Sequence, residues 1–385
     1  MCSNGEGTIY YLLGHDEARL RETRPKVKVV PAEFPDRLPA KIAFVGEAPG
    51  DHELAGDPPR PLIGPSGWLF NRILKRAGIW RNECLITNVL DFKLEDNKIE
   101  SITVPKKDRA AAGRPRFFDH FAQPVVKGGY LDGVMIEASV GRLRAELYDA
   151  NPNVIVALGG LAIWALLAMP GHGVVKKIRG TLHQSVLGPW KVIPTYHPAF
   201  VIRKYQMRPM LWADFLKARH ESEFPEIRSL ELDIRVANNG AELADWWNKR
   251  PEKECLVAID IETSKSHIDC IGFAYSSTHA MTVPFFDNKT GERYWDTAVY
   301  EVLIRKYVNM ILTSPNPKLF QNGSYDVQWI WEKWGIAVQN YAHDTRLLHH
   351  ALWPELPKDL GTMASLHTDL PSWKPVRRTS LKRED

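Results

Sequence analysis

Two sets of residues in this chain have the types and spacing to do chemistry. The first is spread over three short segments: GEAPGDHE (Gly46–Glu53), TNV (Thr87–Val89) and PTYHPAF (Pro194–Phe200). Each follows an apolar run. If those runs are strands of one open α/β sheet, the segments meet at its carboxyl edge, where such sheets bind ligands. Glu47, Asn88 and His197 then converge on one crevice. An Asn side chain both donates and accepts, so Asn88 can pair with the edge of a pyrimidine. A His can donate to a carbonyl oxygen that turns negative as a bond breaks. Gly46, Gly50 and Gly64 let the backbone approach a base or phosphate closely. Singly, each piece has a plainer reading, since HPA is common in capped loops and an Asn at a strand end often forms a turn.

The second set is acidic. Asp260 and Glu262 stand two apart in LVAIDIET, so on a strand they project from one face. Two neighbouring carboxylates on an apolar strand repel each other, and divalent cations would offset that. Sixty-six residues on, NGSYDVQWIW puts Asp326 in the first turn of a helix. Three hard oxygen donors suit Mg²⁺ or Mn²⁺, and two such ions can activate water against a phosphodiester. The alternative for a lone DxE is a solvated edge strand, which the apolar flanks of this one disfavour.

The elements that must position these residues are legible as alternation. KIAFV, ECLITNVL, NVIVALGG and KVIPTYHPAF read as strands. Ser66–Ala77, Val134–Tyr148, Leu161–Leu167 and Arg208–Glu221 read as helices. Strand–helix alternation predicts a parallel sheet in a three-layer α/β/α domain over 41–221, after an extended lead-in at 1–40. Asp91–Gly129 reads as a polar, irregular insertion. A linker at 222–240 leads to a second domain, 241–385. There ECLVAIDIET, CIGFAYSS and HAMTVPFF read as strands, followed by helices at Thr297–Leu312, Gly323–Trp334, Asp344–Leu352 and Asp359–His367. That order predicts a mixed sheet with helices on its faces.

Composition narrows the class. The 385 residues are 44% hydrophobic and 25% charged, which excludes disordered and collagen-like chains. The longest apolar run, near Val154–Met169, is interrupted by Gly159 and Gly160, so no membrane span is predicted. The N-terminus lacks a basic start before an apolar stretch. The four Cys (Cys2, Cys84, Cys255, Cys270) are scattered, as in a reducing, cytoplasmic protein. Residues 1–220 hold 31 Lys and Arg against 22 Asp and Glu, whereas the remainder holds 19 against 24. The first part suits a polyanion, and the second could hold cations. In 151–220 there are nine basic residues, Arg179 and Arg203 among them, against the single acid Asp214. That is the composition of a surface for the DNA backbone.

The series GEAPG, PLIGPSGWLFNRIL, ITNV, VIVALGGLAIWALL, KIRG and VIPTYHPAFVIR resembles the uracil-DNA glycosylase superfamily, in particular its bacterial branch with an iron–sulfur cluster. The resemblance implies that Asn88 reads the pyrimidine, His197 stabilises the leaving base, and Glu47 with Gly46–Gly50 positions water and deoxyribose. The base would be flipped out first, with HPAFVIR along the strand. Two departures stand out. Leu62 occupies the place of a stacking aromatic; Trp68 and Phe70 nearby sit at helical positions and read as core. The cluster cysteines are missing from the lead-in (Cys2 apart), the DFKLEDN region and Val134–Arg144, so no iron–sulfur cluster is predicted.

DIET and NGSYDVQWI, with HDTRLLHHALWPELPKDLGTMASLHT after them, resemble the proofreading 3′–5′ exonucleases, whose fold is RNase H-like. The resemblance implies metal ligation by Asp260, Glu262 and Asp326 and a structural role for Asp344. The fourth ligand, on a later helix, has no counterpart before Asp385. Both domains in this order resemble the N-terminal part of phage-type family A DNA polymerases, which implies DNA as partner, a polymerase domain C-terminal to this chain and, for a phage-encoded chain, the host cytoplasm. The alternatives are a stand-alone uracil-excising repair enzyme and a non-catalytic DNA-binding module.

Overall fold

The computed structural model describes residues 28–106, 123–131, 133–228, 231–251, 254–264, 266–287, 290–368 and 370. Most of the lead-in, Cys2, residues 107–122 of the 91–129 insertion, Asp369 and Asp385 lie outside them. The chain forms two compact units that divide after Arg228; residues from Ala364 on group with the first.

The first unit runs β1 (Ile42–Gly46), α1 (Asp51–Leu54), α2 (Pro65–Ala77), β2 (Cys84–Asn88), β3 (Thr103–Pro105), β4 (Gly129–Leu131), α3 (Gly133–Ala150), β5 (Val154–Leu158), α4 (Gly160–Leu167), α5 (Val175–Ile178), β6 (His183–Gln184), β7 (Lys191–Thr195), α6 (Pro198–Arg203) and α7 (Arg208–Glu221). Its main sheet has the order β2-β1-β5-β7-β6. The four long strands are parallel, and the two-residue β6 pairs antiparallel at the edge.

Alternate residues of β1 and β5 face opposite layers, as the period of a strand requires. Ala43, Val45, Ile155 and Ala157 pack with Leu143, Leu147 and Trp164. Ile42, Phe44, Val154 and Val156 pack with Phe70, Leu74 and Phe215. Phe44 lies 5.0 Å from both the Phe70 and Phe215 rings. This is the expected three-layer α/β/α domain. Pro65 opens α2, and Gly78 (φ 70) closes it by donating to Leu74 O and Lys75 O.

The second unit runs β8 (Asp233–Val236), α8 (Gly240–Asn248), β9 (Val257–Ser264), β10 (His267–Ala274), β11 (His279–Pro284), α9 (Ala298–Leu312), β12 (Lys318–Phe320), α10 (Ser324–Trp334), β13 (Tyr341–Asp344) and α11 (Thr345–Leu352). A final helix, α12 (Leu360–His367), follows. The sheet order is β13-β12-β9-β10-β11-β8. β9, β10 and β11 form an antiparallel meander, while β12 and β13 continue parallel to β9. Counted from β9, the strands lie 5-4-1-2-3, the RNase H-like arrangement expected. The added edge strand β8, parallel to β11, lies within the stretch 222–240 expected as a linker. Thr297 caps α9 by accepting from Tyr300 N.

Candidate active site

The first site is built on strand ends. β1 and β2 run in register, so that Gly46 faces Asn88. A Cβ on Gly46 would fall 2.2 Å from Asn88 Oδ1. Only glycine leaves room for the buried Asn88 side chain across the end of β1.

β5 ends one residue before Gly159, whose φ of 94° belongs to glycine. A Cβ there would lie 2.4 Å from Glu47 Oε1 and 3.2 Å from His197 Cβ. Gly159 therefore marks where Glu47 and His197 come together. Glu47 Oε1 also faces the first turn of α4, 3.4 Å from Leu161 N.

His197 follows β7 and caps α6, with Pro198 at the first helical position. Its Nδ1 accepts from Ala199 N at 3.2 Å. A ring nitrogen that accepts carries no proton, so the proton of the neutral ring sits on Nε2, which is a donor. Burial lowers the imidazole pKa, against an opposing pull from Glu47 and Glu53. The site thus holds a neutral His with one donor to spare.

Glu53 was not singled out from the sequence. It is buried; its Oε2 accepts from Gly50 N and its Oε1 from Leu62 N at 2.5 Å. One carboxylate so pins both arms of the 50–62 loop. Arg81 secures the same loop by donating to Pro61 O (2.6 Å) and Leu62 O (3.1 Å), and it is paired with Glu33. The GxxE spacing of Gly50–Glu53 was the available signal for Glu53. Gly159 had one too, in the GG after an apolar strand.

The second site lies on β9. Val257, Ile259 and Ile261 are buried, while Asp260 and Glu262 are exposed on the opposite face. β12 pairs with β9 only at Val257 and Ala258. Beyond that the strands part, and the buried Asp326 takes the vacated position, with Oδ1 accepting from Ile261 N at 3.1 Å. Burial, and then Asp260 nearby, push the Asp326 carboxyl up to about 6. Asp344 is different. It accepts from Gly323 N (2.9 Å), Asn322 N (3.1 Å), Arg346 N (2.8 Å) and the Tyr341 hydroxyl (2.7 Å). Burial opposes its ionisation, but those donors hold it below the usual carboxylate range. It braces the turn between β12 and α10. Among the described residues, no three acidic, His or Cys side chains gather as metal ligands. The three residues expected as ligands therefore do not gather as one group: Asp326 feels the charge of Asp260, and Glu262 is exposed on the same strand face as Asp260.

The uracil DNA glycosylase superfamily profile matches residues 33–218. The type-4 uracil-DNA glycosylase of Thermotoga maritima is 31% identical over 185 residues, covering 47% of this chain and 78% of that protein. That of Archaeoglobus fulgidus is 32% identical, covering 46% and 75%. The chain belongs to the uracil DNA glycosylase superfamily. Among solved structures, the chain is similar to an EXD2 exonuclease domain soaked in Mn and GMP (16% identity, 36% of this chain, 71% of that one, TM-score 0.25). It is also similar to Escherichia coli RNase D (14% identity, 37% of this chain and 34% of that one, TM-score 0.26).

Within the uracil DNA glycosylase unit, several sequence expectations need correction. Leu62 (φ 51) is 1% exposed and packs in the core with Phe44 and Phe70, so its side chain does not line an open base pocket. Phe70 is core as read, but Trp68 is 76% exposed. Arg179 is not a DNA-backbone residue. Its guanidinium is buried, paired with both oxygens of Asp214, and donates to Ser365 Oγ at 2.9 Å. Lys191 is likewise buried on Glu221, and Lys217 donates to three backbone carbonyls. An unpaired buried charge costs far more than a paired one, so Asp214, the single acid of this stretch, serves as a partner in the core. The basic surface that remains is smaller. It comprises the exposed Lys176, Lys177, Arg203, Lys204 and Arg219 with the half-buried Arg208; Arg203 and Lys204, beside Tyr205, close the helix that His197 caps. Gly64 lies against the His52 side chain, 3.1 Å from a built Cβ.

The iron–sulfur cluster of the resembling branch would need four thiolates. The first unit's described residues offer Cys84 alone. Its thiol is buried, faces Trp80 O at 3.3 Å and is pushed up to about 12. These residues do not fit the cluster. No helix among the described residues is long and apolar enough to cross a membrane.

Proposed function

We propose that the first unit removes uracil, or a closely related pyrimidine, from DNA by hydrolysis of its glycosidic bond. The observation that carries this reading is the neutral His197, fixed by Ala199 N with Nε2–H free, beside Glu47 at the edge where Asn88 also ends. The target base enters the crevice flipped from the strand. The Asn88 amide pairs with the pyrimidine edge. As the C1′–N bond breaks, its electron pair moves onto the base, and His197 Nε2–H stabilises the oxygen that turns negative. Glu47 faces the positive charge that grows on the sugar and orients the water that adds to C1′. Arg203 and Lys204 hold the flanking phosphates. That the similar proteins of Thermotoga maritima and Archaeoglobus fulgidus are type-4 uracil-DNA glycosylases supports the same reading. A uracil-containing single-stranded oligonucleotide tests it. Abasic sites should form with the wild type and fall by about a hundredfold or more in His197→Ala; equal activity in the variant overturns the assignment.

A second reading concerns the second unit: metal-dependent 3′–5′ exonucleolysis with Mg²⁺ or Mn²⁺. What favours it is the RNase H-like strand order together with Asp326 seated on β9 next to Asp260. Mn²⁺-dependent digestion of single-stranded DNA, lost in Asp260→Ala, supports it. Salt-sensitive DNA binding without digestion replaces it with a non-catalytic DNA-binding module. The order of the two units supports placing them ahead of a polymerase domain, as in phage-type replication enzymes. Reading the coding region beyond the Asp385 codon tests that placement.

A further inference from the structure

The glycosylase unit has to hold the carboxyl end of β2 still, because Asn88 sits there. Three segments meet behind it: the lead-in near Val30, the loop after β2 and helix α3. They are the same three stretches from which a cluster would have to draw its cysteines, and none of the described residues in them is a cysteine.

One side chain joins the loop to α3, and the lead-in pairs with the same loop through its own backbone. Arg142, on α3, is largely buried. Its Nη2 donates to Asn88 O at 2.6 Å and to Val89 O at 2.8 Å. Its Nη1 donates to Glu146 Oε1 at 2.5 Å and reaches Thr87 Oγ1 at 3.3 Å. Its Nε lies 3.6 Å from Asp91 Oδ2. Thr87 Oγ1 in turn donates to Glu146 Oε2 at 2.7 Å. The lead-in closes the knot through Val30 N, which donates to Asp91 O at 2.7 Å.

We propose that Arg142 is a positioning residue for base recognition. Its guanidinium fastens the β2 loop to α3 and fixes the Asn88 peptide, and the lead-in is held to the same loop through Asp91. The chemistry suits the task. A guanidinium is planar, permanently charged and carries five donors in a fixed fork. Two carbonyls of consecutive residues, 88 and 89, take both hydrogens of one nitrogen, so neither of the two successive peptides can rotate without losing a bond. A lysine would keep the charge but not the fork.

The link to Asn88 chemistry rests on the proposed glycosylase reading; the link between the three segments does not. The test therefore has two arms. Hydrogen–deuterium exchange on the full chain should show that Arg142→Ala removes protection jointly from peptides around 28–33, 87–92 and 139–148, leaving 154–158 protected. Loss confined to α3 overturns the knot. In the second arm, uracil excision by Arg142→Ala should fall by about a hundredfold, mainly in kcat, with partial recovery in Arg142→Lys. Unchanged kcat in a folded Arg142→Ala overturns the positioning role. If the wild type excises nothing while the exchange result holds, the function proposed above fails and the knot stands.

Discussion

His197 shows how a single residue can be tuned by its place in the chain. Capping α6 fixes which nitrogen carries the proton, and burial keeps the ring neutral. The folded pKa is lowered below the ordinary value of 6.5. The stability gained from burying the neutral ring is therefore complete above about pH 6.5 and is lost as pH falls through the folded value. Melting curves at about pH 7.5 and about pH 5 should show a larger acid loss in the wild type than in His197→Asn. Gly159 is the complementary case. In Gly159→Ala the new methyl meets Glu47 Oε1 and His197 Cβ at a left-handed backbone position. A cost of about 1–3 kcal/mol and loss of excision are expected, read by denaturant unfolding and oligonucleotide cleavage. Glu47, Asn88 and His197 could be picked out because each lies in a short run with its own signal. Glu53 has a local signal toward Gly50 alone; its bond to Leu62, 9 residues on, and that of Arg142 to Asn88, 54 residues away, have none in their immediate neighbours.

At the scale of elements, strands and helices were easier to place than the roles of charged side chains. β5 and α7 fall where alternation and apolar runs put them, since burial on two faces leaves an unbroken run such as VIVAL. Charge misled for a physical reason. A basic count records formal charge, whereas Arg179, Lys191 and Lys217 spend theirs inside the unit. The distinction can be measured. Arg179→Ala leaves Asp214 buried without its partner and should cost about 3–5 kcal/mol in unfolding experiments. Arg203→Ala should leave the melting temperature in place and weaken DNA binding, with a shallower dependence on salt.

For the whole molecule, the division after Arg228 gives two units with separate cores. Separate cores need not melt together. Calorimetry should resolve two transitions, and Gly159→Ala should move only one of them. A single transition shifted as a whole would show that the units unfold as one.

The parting of β12 from β9 carries a consequence for descent. Asp326 supplies an acceptor that Ile261 would otherwise lack, so a lineage that abandoned hydrolysis would still be penalised for losing it. Glu262, exposed on the strand, takes part in no such backbone bond among the described contacts. In relatives of this unit, an aspartate kept at 326 beside a drifting residue at 262 would be the mark of architecture outliving chemistry.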